Sequence, residues 1–182
     1  MQRRTVLKNL LLLAGGTALL PSCLHSDKKI SIPLHHLSVS ADQESLLAAI
    51  TEAIIPKTDT PGAKELGIHQ FVLVMMDDCA TKEEQQKFLK GLSEVNNLAK
   101  KEYDNDFTAC TAEQQTSLLA RIDKKELKGD VNFFLDKTKR LTIQGYLKSK
   151  YVMSNLLRYE LVPGRFHGSV PVTAKSNFLQ NG

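Results

Sequence analysis

The sequence lacks the short motifs that hold the common cofactors. It has no CxxCH motif for covalent haem, and it has neither a GxGxxG nor a GxxxxGK(S/T) loop for a dinucleotide or a phosphate. Besides Cys23 it has only Cys79 and Cys110, which are too few for an iron–sulfur cluster without outside ligands. These absences predict that no cofactor is bound by this chain.

The two remaining cysteines leave two interpretations open. An oxidising compartment would allow Cys79 and Cys110 to form a disulfide. Their separation in the sequence neither supports nor forbids that bond, and two separate buried thiols are the alternative. The choice depends on where the protein resides, which the amino-terminal segment addresses.

The sequence also lacks an apolar run that is long enough to span a membrane. The apolar stretch from Leu10 to Leu20 is about half of the roughly 20 residues that a spanning helix needs. Because Arg3 and Arg4 precede it, the order is that of an export signal. The letters RRTVLK resemble the twin-arginine signature, and an ordinary secretory signal with adjacent arginines is the alternative.

The letters LPSC at residues 20–23 resemble the cleavage site of a bacterial lipoprotein. Cleavage before Cys23 and lipidation of that cysteine would give the chain several acyl groups, and each buried methylene contributes about 0.8 kcal/mol of membrane affinity. We therefore expect an exported protein that is lipid-anchored on the periplasmic side of a bacterial membrane. The alternative is a soluble periplasmic protein in which Cys23 has no role.

The mature chain carries almost no net charge. The precursor has 24 basic and 20 acidic residues, and residues 1–22 contain three basic and no acidic residues. Removing them leaves 21 basic residues against 20 acidic ones, a net charge of +1. A balanced surface without a basic block predicts no binding to nucleic acid.

Beyond the signal, the pattern predicts a tether over residues 23–39 and one all-α domain over residues 40–182. Strand signals are nearly absent, and helical apolar spacing follows three capping boxes that begin at Ser40, Thr81 and Thr111. Pro56 is expected to end the first helix and Gly67 to stop a short one, and the long helical region after residue 130 is expected to break near Gly145. The expected architecture is an irregular helical bundle with Pro/Gly-rich loops.

Few side chains have the spacing of a catalytic or metal site. The histidines of the tether, among them His35 and His36, are more often solvated than ligating. Neighbouring carboxylates such as Asp77 and Asp78 point about 100° apart on a helix and do not face one substrate. Catalytic residues are therefore not assigned.

Two segments resemble a known family. AIIPKTDTPGAKELGI starts at Ala53, and GYLKSKYVMSNLLRYELVPGRFHGSVPV starts at Gly145. Together they are similar to the gluconate 2-dehydrogenase subunit 3 family, the small subunits of flavin-dependent dehydrogenases. The first pattern is intact over residues 54–63, whereas Ser169 stands where the family often has cysteine. That departure removes the basis for transferring any cysteine role from relatives.

The resemblance implies a non-catalytic accessory subunit. The expected partner is a large glucose/methanol/choline-type flavoprotein that contains FAD and performs the chemistry, while this chain assists its maturation, export and anchoring. The expected partner interface lies in the two Pro/Gly-rich segments: Pro56, Asp59, Pro61, Gly62, Tyr159, Pro163, Gly164, Arg165 and Phe166. The closing segment could instead cover the core of its own bundle.

Two other functions remain open at this point. A stand-alone envelope lipoprotein could bind or transform a small molecule in a pocket that uses His69, Asp77, Asp78 or His167. A purely structural envelope protein would have no flavin-containing partner at all. A neighbouring reading frame for a large flavoprotein would favour the accessory subunit over both.

Overall fold

The structure is a computed structural model that describes residues 30–126, 129–157, 162 and 164. Within these residues the chain is all-α and contains no strand, which confirms the predicted fold class. The elements, in chain order, are α1 (Ala41–Ile54), α2 (Ile68–Cys79), α3 (Lys82–Tyr103), a 3₁₀ turn (Phe107–Ala109), α4 (Ala112–Asp123), α5 (Asp130–Leu147) and a π-helical turn (Val152–Leu156).

Three helices begin at the predicted capping boxes. The side chains of Ser40, Thr81 and Thr111 each accept a hydrogen bond from the backbone N–H three residues later, and the residue there bonds back to the cap. Each box satisfies two amides that have no partner inside the helix, and a cap of this kind stabilises a helix by about 1 kcal/mol. The expected end of the first helix is also confirmed, because α1 ends at Ile54, two residues before Pro56.

The core lies where α3 and α5 pack against each other and against the remaining helices. At its centre the rings of Phe88 on α3 and Phe134 on α5 lie 5.0 Å apart and tilted by 54°, and both side chains are fully buried. Offset, tilted rings are a favourable aromatic arrangement. Glu94 of α3 also accepts a hydrogen bond from the N–H of Val131 at 2.9 Å, which fixes the first turn of α5 against α3.

Two glycines allow the neighbours of α5 to approach closely. Gly91 of α3 lies against Phe134 and the backbone of Asp130, so a side chain there would collide with both. Gly145 lies inside α5, where an added Cβ would meet the Phe71 ring at 2.6 Å. The predicted break lies a few residues after Gly145, because α5 ends at Leu147 and helical structure resumes at Lys150. Gly145 itself does not break the helix and provides space for a neighbouring ring.

Gly67 also has a role that differs from the expected one. It precedes α2 with a φ of 66°, a left-handed conformation that glycine adopts at little cost. The residues before it, Ala63 to Leu66, form turns and not a helix that Gly67 would stop. Gly67 is thus the N-cap residue of α2 and does not end a helix.

Residues 30–39 form an irregular segment that packs on the helices, and we call it the N-terminal strap. Leu37 is buried in the core, and Ile32, Leu34 and Val39 pack against it. The sequence pattern predicted a tether over these residues, because Pro33 and the polar residues hide any apolar period. The structure differs there, while residues 1–29 of the predicted signal and tether lie outside the described part of the chain.

None of the described helices has the length and apolar character needed to cross a membrane.

Candidate functional site

The first candidate site is the loop over residues 55–67, which we call the TDTPG loop. Its shape depends on Glu52, in the last turn of α1. One carboxylate oxygen of Glu52 accepts the backbone N–H of Lys57 at 3.0 Å, and the other accepts the N–H of Lys64 at 2.8 Å. The carboxylate lies directly over Gly62, where any side chain would collide with it. Glycine at this position therefore permits the contact that shapes the loop.

Tyr146, in the last turn of α5, holds the loop from the other side. Its hydroxyl lies 3.0 Å from the carbonyl oxygen of Pro61 and 3.2 Å from Oγ1 of Thr60. Within the loop, the N–H of Thr58 donates to the carbonyl oxygen of Thr60 at 3.0 Å. Side chains of two different helices thus fix the middle of the loop.

The base of the loop is closed by backbone hydrogen bonds. Ala63 is fully buried and donates its N–H to the carbonyl oxygen of Ile55 at 2.9 Å. The carbonyl oxygen of Ala63 accepts the N–H of Ile68 at 2.9 Å. An exposed ion pair between Lys57 and Glu65, at 2.9 Å, adds little because solvent screens it. The loop is consequently anchored at its ends and exposed at its tip.

The predicted interface residues divide into three groups in the structure. Pro56, Asp59 and Gly164 are exposed, Pro61 is half-buried, and Gly62 is buried beneath Glu52. Val162 of the closing segment is 82% exposed, and no atom would meet a side chain added at Gly164. The remaining four predicted residues lie outside the described residues: Tyr159, Pro163, Arg165 and Phe166.

The second candidate site surrounds Asp77 of α2. Its side chain is almost fully buried and accepts three backbone N–H groups of the strap: those of His35 and His36 at 2.7 Å each and that of Leu37 at 2.5 Å. Burial acts to raise the pKa of this carboxyl group, but the three hydrogen bonds outweigh burial and hold the pKa below its ordinary value. Asp77 therefore holds the strap in place and has no free oxygen facing a cavity.

A related contact holds the start of the strap. The buried carboxylate of Glu44, on α1, accepts the N–H of Ser31 at 2.9 Å and the hydroxyl of the same residue. His69 of α2 lies beside it, with Nε2 3.8 Å from the Glu44 carboxylate. Burial lowers the pKa of His69, although the negative charge of Glu44 acts in the opposite direction. His69 Nδ1 is buried without a hydrogen-bond partner among the described residues.

The other candidate residues for chemistry do not converge in the structure. Asp78 is exposed beside the buried Asp77, and His167 lies outside the described residues. His35 and His36 are exposed and contribute their backbone N–H groups to Asp77. In the part of the chain that the structure describes, no group of three or more His, Cys, Asp or Glu residues is placed to hold a metal ion.

The cysteines are separate in the structure. Cys79 is an exposed free thiol at the end of α2, and Cys110 is a buried free thiol after the 3₁₀ turn. Burial raises the pKa of Cys110, and the nearby carboxylate of Asp106 acts in the same direction. Neither interpretation of the sequence describes this arrangement, in which one thiol is exposed and the other is buried.

A comparison with protein families identifies the chain. The family model described as gluconate 2-dehydrogenase subunit 3 matches residues 41–164. The chain belongs to the gluconate 2-dehydrogenase subunit 3 family. The matched residues of this subunit 3 family member include the whole TDTPG loop and extend to Gly164 of the closing segment. The chain matches no curated protein and no solved structure.

Sequence reasoning missed Glu52 and Tyr146, which shape the TDTPG loop. Glu52 follows no capping pattern, because it lies at the end of a helix and reaches forward to amides five and twelve residues later. Tyr146 bonds to residues 85 and 86 positions away. The one local signal was Gly62 next to Pro61, since a glycine in a turn often marks a close backbone approach.

Proposed function

We propose that this chain is a non-catalytic accessory subunit of an FAD-dependent dehydrogenase of the glucose/methanol/choline type. In this proposal the large partner subunit contains the FAD and oxidises the substrate. The small subunit binds the folded partner, assists its maturation and export through the signal at Arg3 and Arg4, and anchors it through lipid on Cys23. The complex lies on the periplasmic side of a bacterial membrane.

The observation that carries this proposal is the family match over residues 41–164, whose description names a dehydrogenase subunit. The geometry of the TDTPG loop supports the same conclusion. Its exposed residues Pro56 and Asp59 lie on a loop that Glu52 and Tyr146 already hold in one shape. A loop that is shaped before binding loses little conformational entropy when a partner docks.

The closing segment supports a role in docking as well. Val162 is 82% exposed and Gly164 has open space around it. Exposed positions within a family motif favour contact with another molecule over coverage of the chain's own core. The closing segment therefore belongs with the TDTPG loop in the proposed interface.

The proposal is tested by affinity capture of the tagged protein from gently solubilised membranes. We expect a roughly stoichiometric flavoprotein that shows the absorbance spectrum of bound flavin and that mass spectrometry identifies as a glucose/methanol/choline-type dehydrogenase. A colourless protein that is recovered alone would contradict the proposal. That result would favour the stand-alone lipoprotein.

The same tagged protein tests the export route when Arg3 and Arg4 are both replaced by lysine. Twin-arginine transport carries folded cargo, so this variant should leave both the small subunit and the flavoprotein in the cytoplasmic fraction. The unaltered chain is the control. If the flavoprotein still reaches the periplasm, it carries its own signal, and only the carrier role is lost.

A further inference from the structure

The end of α5 exposes apolar side chains on the face that points away from the bundle. Ile143 is 42% exposed and Leu147 is 54% exposed. They are four residues apart, so they lie side by side on one face of the helix, and Arg140 precedes them on that face. The opposite face of α5 is buried in the core through residues such as Phe134, Leu141 and Gly145. We call the exposed set Arg140, Ile143 and Leu147 the α5 patch.

Positive charge borders this patch. Arg140 and Lys148 are exposed, and among the described residues neither of them forms an ion pair with a carboxylate. Other exposed cations, such as Lys139 with Asp123 at 2.8 Å, are paired within the chain. Asp136, one turn before Arg140, is the acidic residue on the same face. The rim of the patch is therefore mainly cationic.

The α5 patch is continuous with the TDTPG loop. Tyr146, whose hydroxyl bonds to Thr60 and Pro61, comes three residues after Ile143 and therefore lies beside it on the surface of α5. Movement of the loop relative to the patch would break these hydrogen bonds. The TDTPG loop and the α5 patch therefore adjoin at Tyr146.

From this arrangement we propose that the α5 patch is the docking site for the large flavoprotein subunit, which meets it with an apolar patch bordered by carboxylates. The inference rests on the proposed function and adds the residues that carry the contact. An apolar centre with a charged rim is the usual composition of a protein interface, and a few central side chains contribute most of its affinity. Complementary charge at the rim speeds association and selects the partner.

An anionic membrane would also attract an apolar and basic surface, but the geometry favours a protein. A helix that lies in a membrane interface needs a broad apolar face along its length. The broad apolar face of α5 is buried in the bundle, and only two large apolar side chains of α5 lie exposed. Two side chains suit a pocket on a folded partner.

The test measures binding of the purified flavoprotein to the full chain carrying Cys23→Ser, which removes the lipid. The double variant Ile143→Gln/Leu147→Gln should raise the Kd by about tenfold or more, as expected for central interface side chains. Val74→Gln is the matched control, because Val74 is 39% exposed on a different helix, and its Kd should stay within about twofold. Circular dichroism and thermal melting verify that each variant is folded.

A second variant tests the charged rim. Arg140→Gln should weaken binding a few-fold at low salt, and the difference should shrink as salt screens the interaction. Lys87→Gln, at an exposed position of α3, should leave the affinity unchanged. An unchanged Kd for both the double variant and Arg140→Gln would overturn the inference while leaving the accessory role intact.

Two further outcomes separate the remaining possibilities. If the wild-type chain captures no flavoprotein, the proposed function fails and the inference fails with it. If the Cys23→Ser chain sediments with phosphatidylglycerol/phosphatidylcholine vesicles through Ile143 and Leu147, and flavoprotein affinity does not depend on these residues, the patch contacts the membrane. That outcome overturns the inference.

Discussion

The N-terminal strap and the TDTPG loop use the same device for different purposes. Each is an irregular segment whose backbone N–H groups donate to the carboxylate of a neighbouring helix. Asp77 accepts three such groups in the strap, and Glu52 accepts two in the loop. The segments differ in burial. The strap inserts Leu37 into the core, whereas the loop leaves Pro56 and Asp59 exposed.

This difference separates a structural segment from one that is available for recognition. In the sequence Asp77 is a candidate only for a small-molecule pocket in the alternative function, and in the structure its oxygens accept backbone amides in the interior. Glu52 attracts no attention in the sequence, yet it shapes the exposed loop that carries the family motif. A carboxylate that binds backbone groups stabilises whatever it holds, so the exposure of the segment indicates whether a partner can reach it.

The largest expected effect comes from the buried side of this comparison. Asp77→Asn replaces a carboxylate that accepts hydrogen bonds from three backbone N–H groups by an amide with one acceptor oxygen. The new side-chain NH2 group would point at a backbone N–H group and could not accept its hydrogen bond. Buried hydrogen bonds to a charged group contribute more than neutral ones, so we expect a loss of about 3 kcal/mol in the free energy of unfolding. Urea denaturation followed by circular dichroism measures it.

The neighbouring residue provides the control for this prediction. Asp78→Asn makes the same chemical change at an exposed position, and its effect should lie within about 0.5 kcal/mol of zero. Limited proteolysis adds a local readout, because release of the strap should open the chain to cleavage between residues 30 and 39. Equal stability of the two variants would mean that the strap does not depend on Asp77.

A smaller effect is expected on the exposed side. Glu52→Gln keeps one acceptor but places an amide group against a backbone N–H, so we expect a loss of about 1 kcal/mol in stability. Hydrogen exchange should accelerate at the backbone amides of Lys57 and Lys64, because these N–H groups donate to the Glu52 carboxylate. Exchange should remain slow in the core of α3. Because the loop is then no longer held in one shape, affinity for the flavoprotein should fall as well.

Glu65→Gln is the matched control for the loop. Glu65 is exposed and pairs with Lys57 through a solvent-screened contact, so its removal should change neither stability nor hydrogen exchange measurably. If Glu52→Gln weakened stability but left the partner affinity unchanged, the shape of the loop would not matter for docking.

The sequence predicted the parts of this fold that depend on local spacing. The three capping boxes join residues that are three positions apart, and the helical faces repeat every three or four residues. The end of α1 before Pro56 follows from the missing amide of proline. These features require no knowledge of the rest of the chain.

The features that position the candidate sites depend on distant residues. Asp77 meets strap amides 40 to 42 positions earlier in the chain, and Tyr146 reaches a loop 85 positions away. A glycine in a helical pattern is equally compatible with a break and with a close contact, so the sequence did not show that Gly145 makes room for the Phe71 ring. The α5 patch was missed for the same reason, since its exposure depends on which face of α5 the bundle buries.

The smallest expected effect concerns His69, which sits where the strap meets Glu44. Because burial lowers its pKa, the unfolded chain binds a proton near the ordinary pKa of about 6.5 while the folded chain does not. The contribution of neutral His69 to the free energy of unfolding is therefore fully present above that pH, and it declines as the pH falls toward the lowered pKa. The carboxylate of Glu44 favours the proton and Lys64 opposes it, so the net decline should be shallow.

His69→Gln should flatten the stability profile between about pH 7 and pH 5, and the unaltered chain is the control. Asp77 provides an internal contrast. Its lowered pKa places its own loss of stability at more acidic pH, below the ordinary carboxyl range near 4. Urea midpoints measured from pH 8 to about pH 2 would therefore show two separate declines. A profile that His69→Gln leaves unchanged would show that burial of this ring does not oppose its protonation.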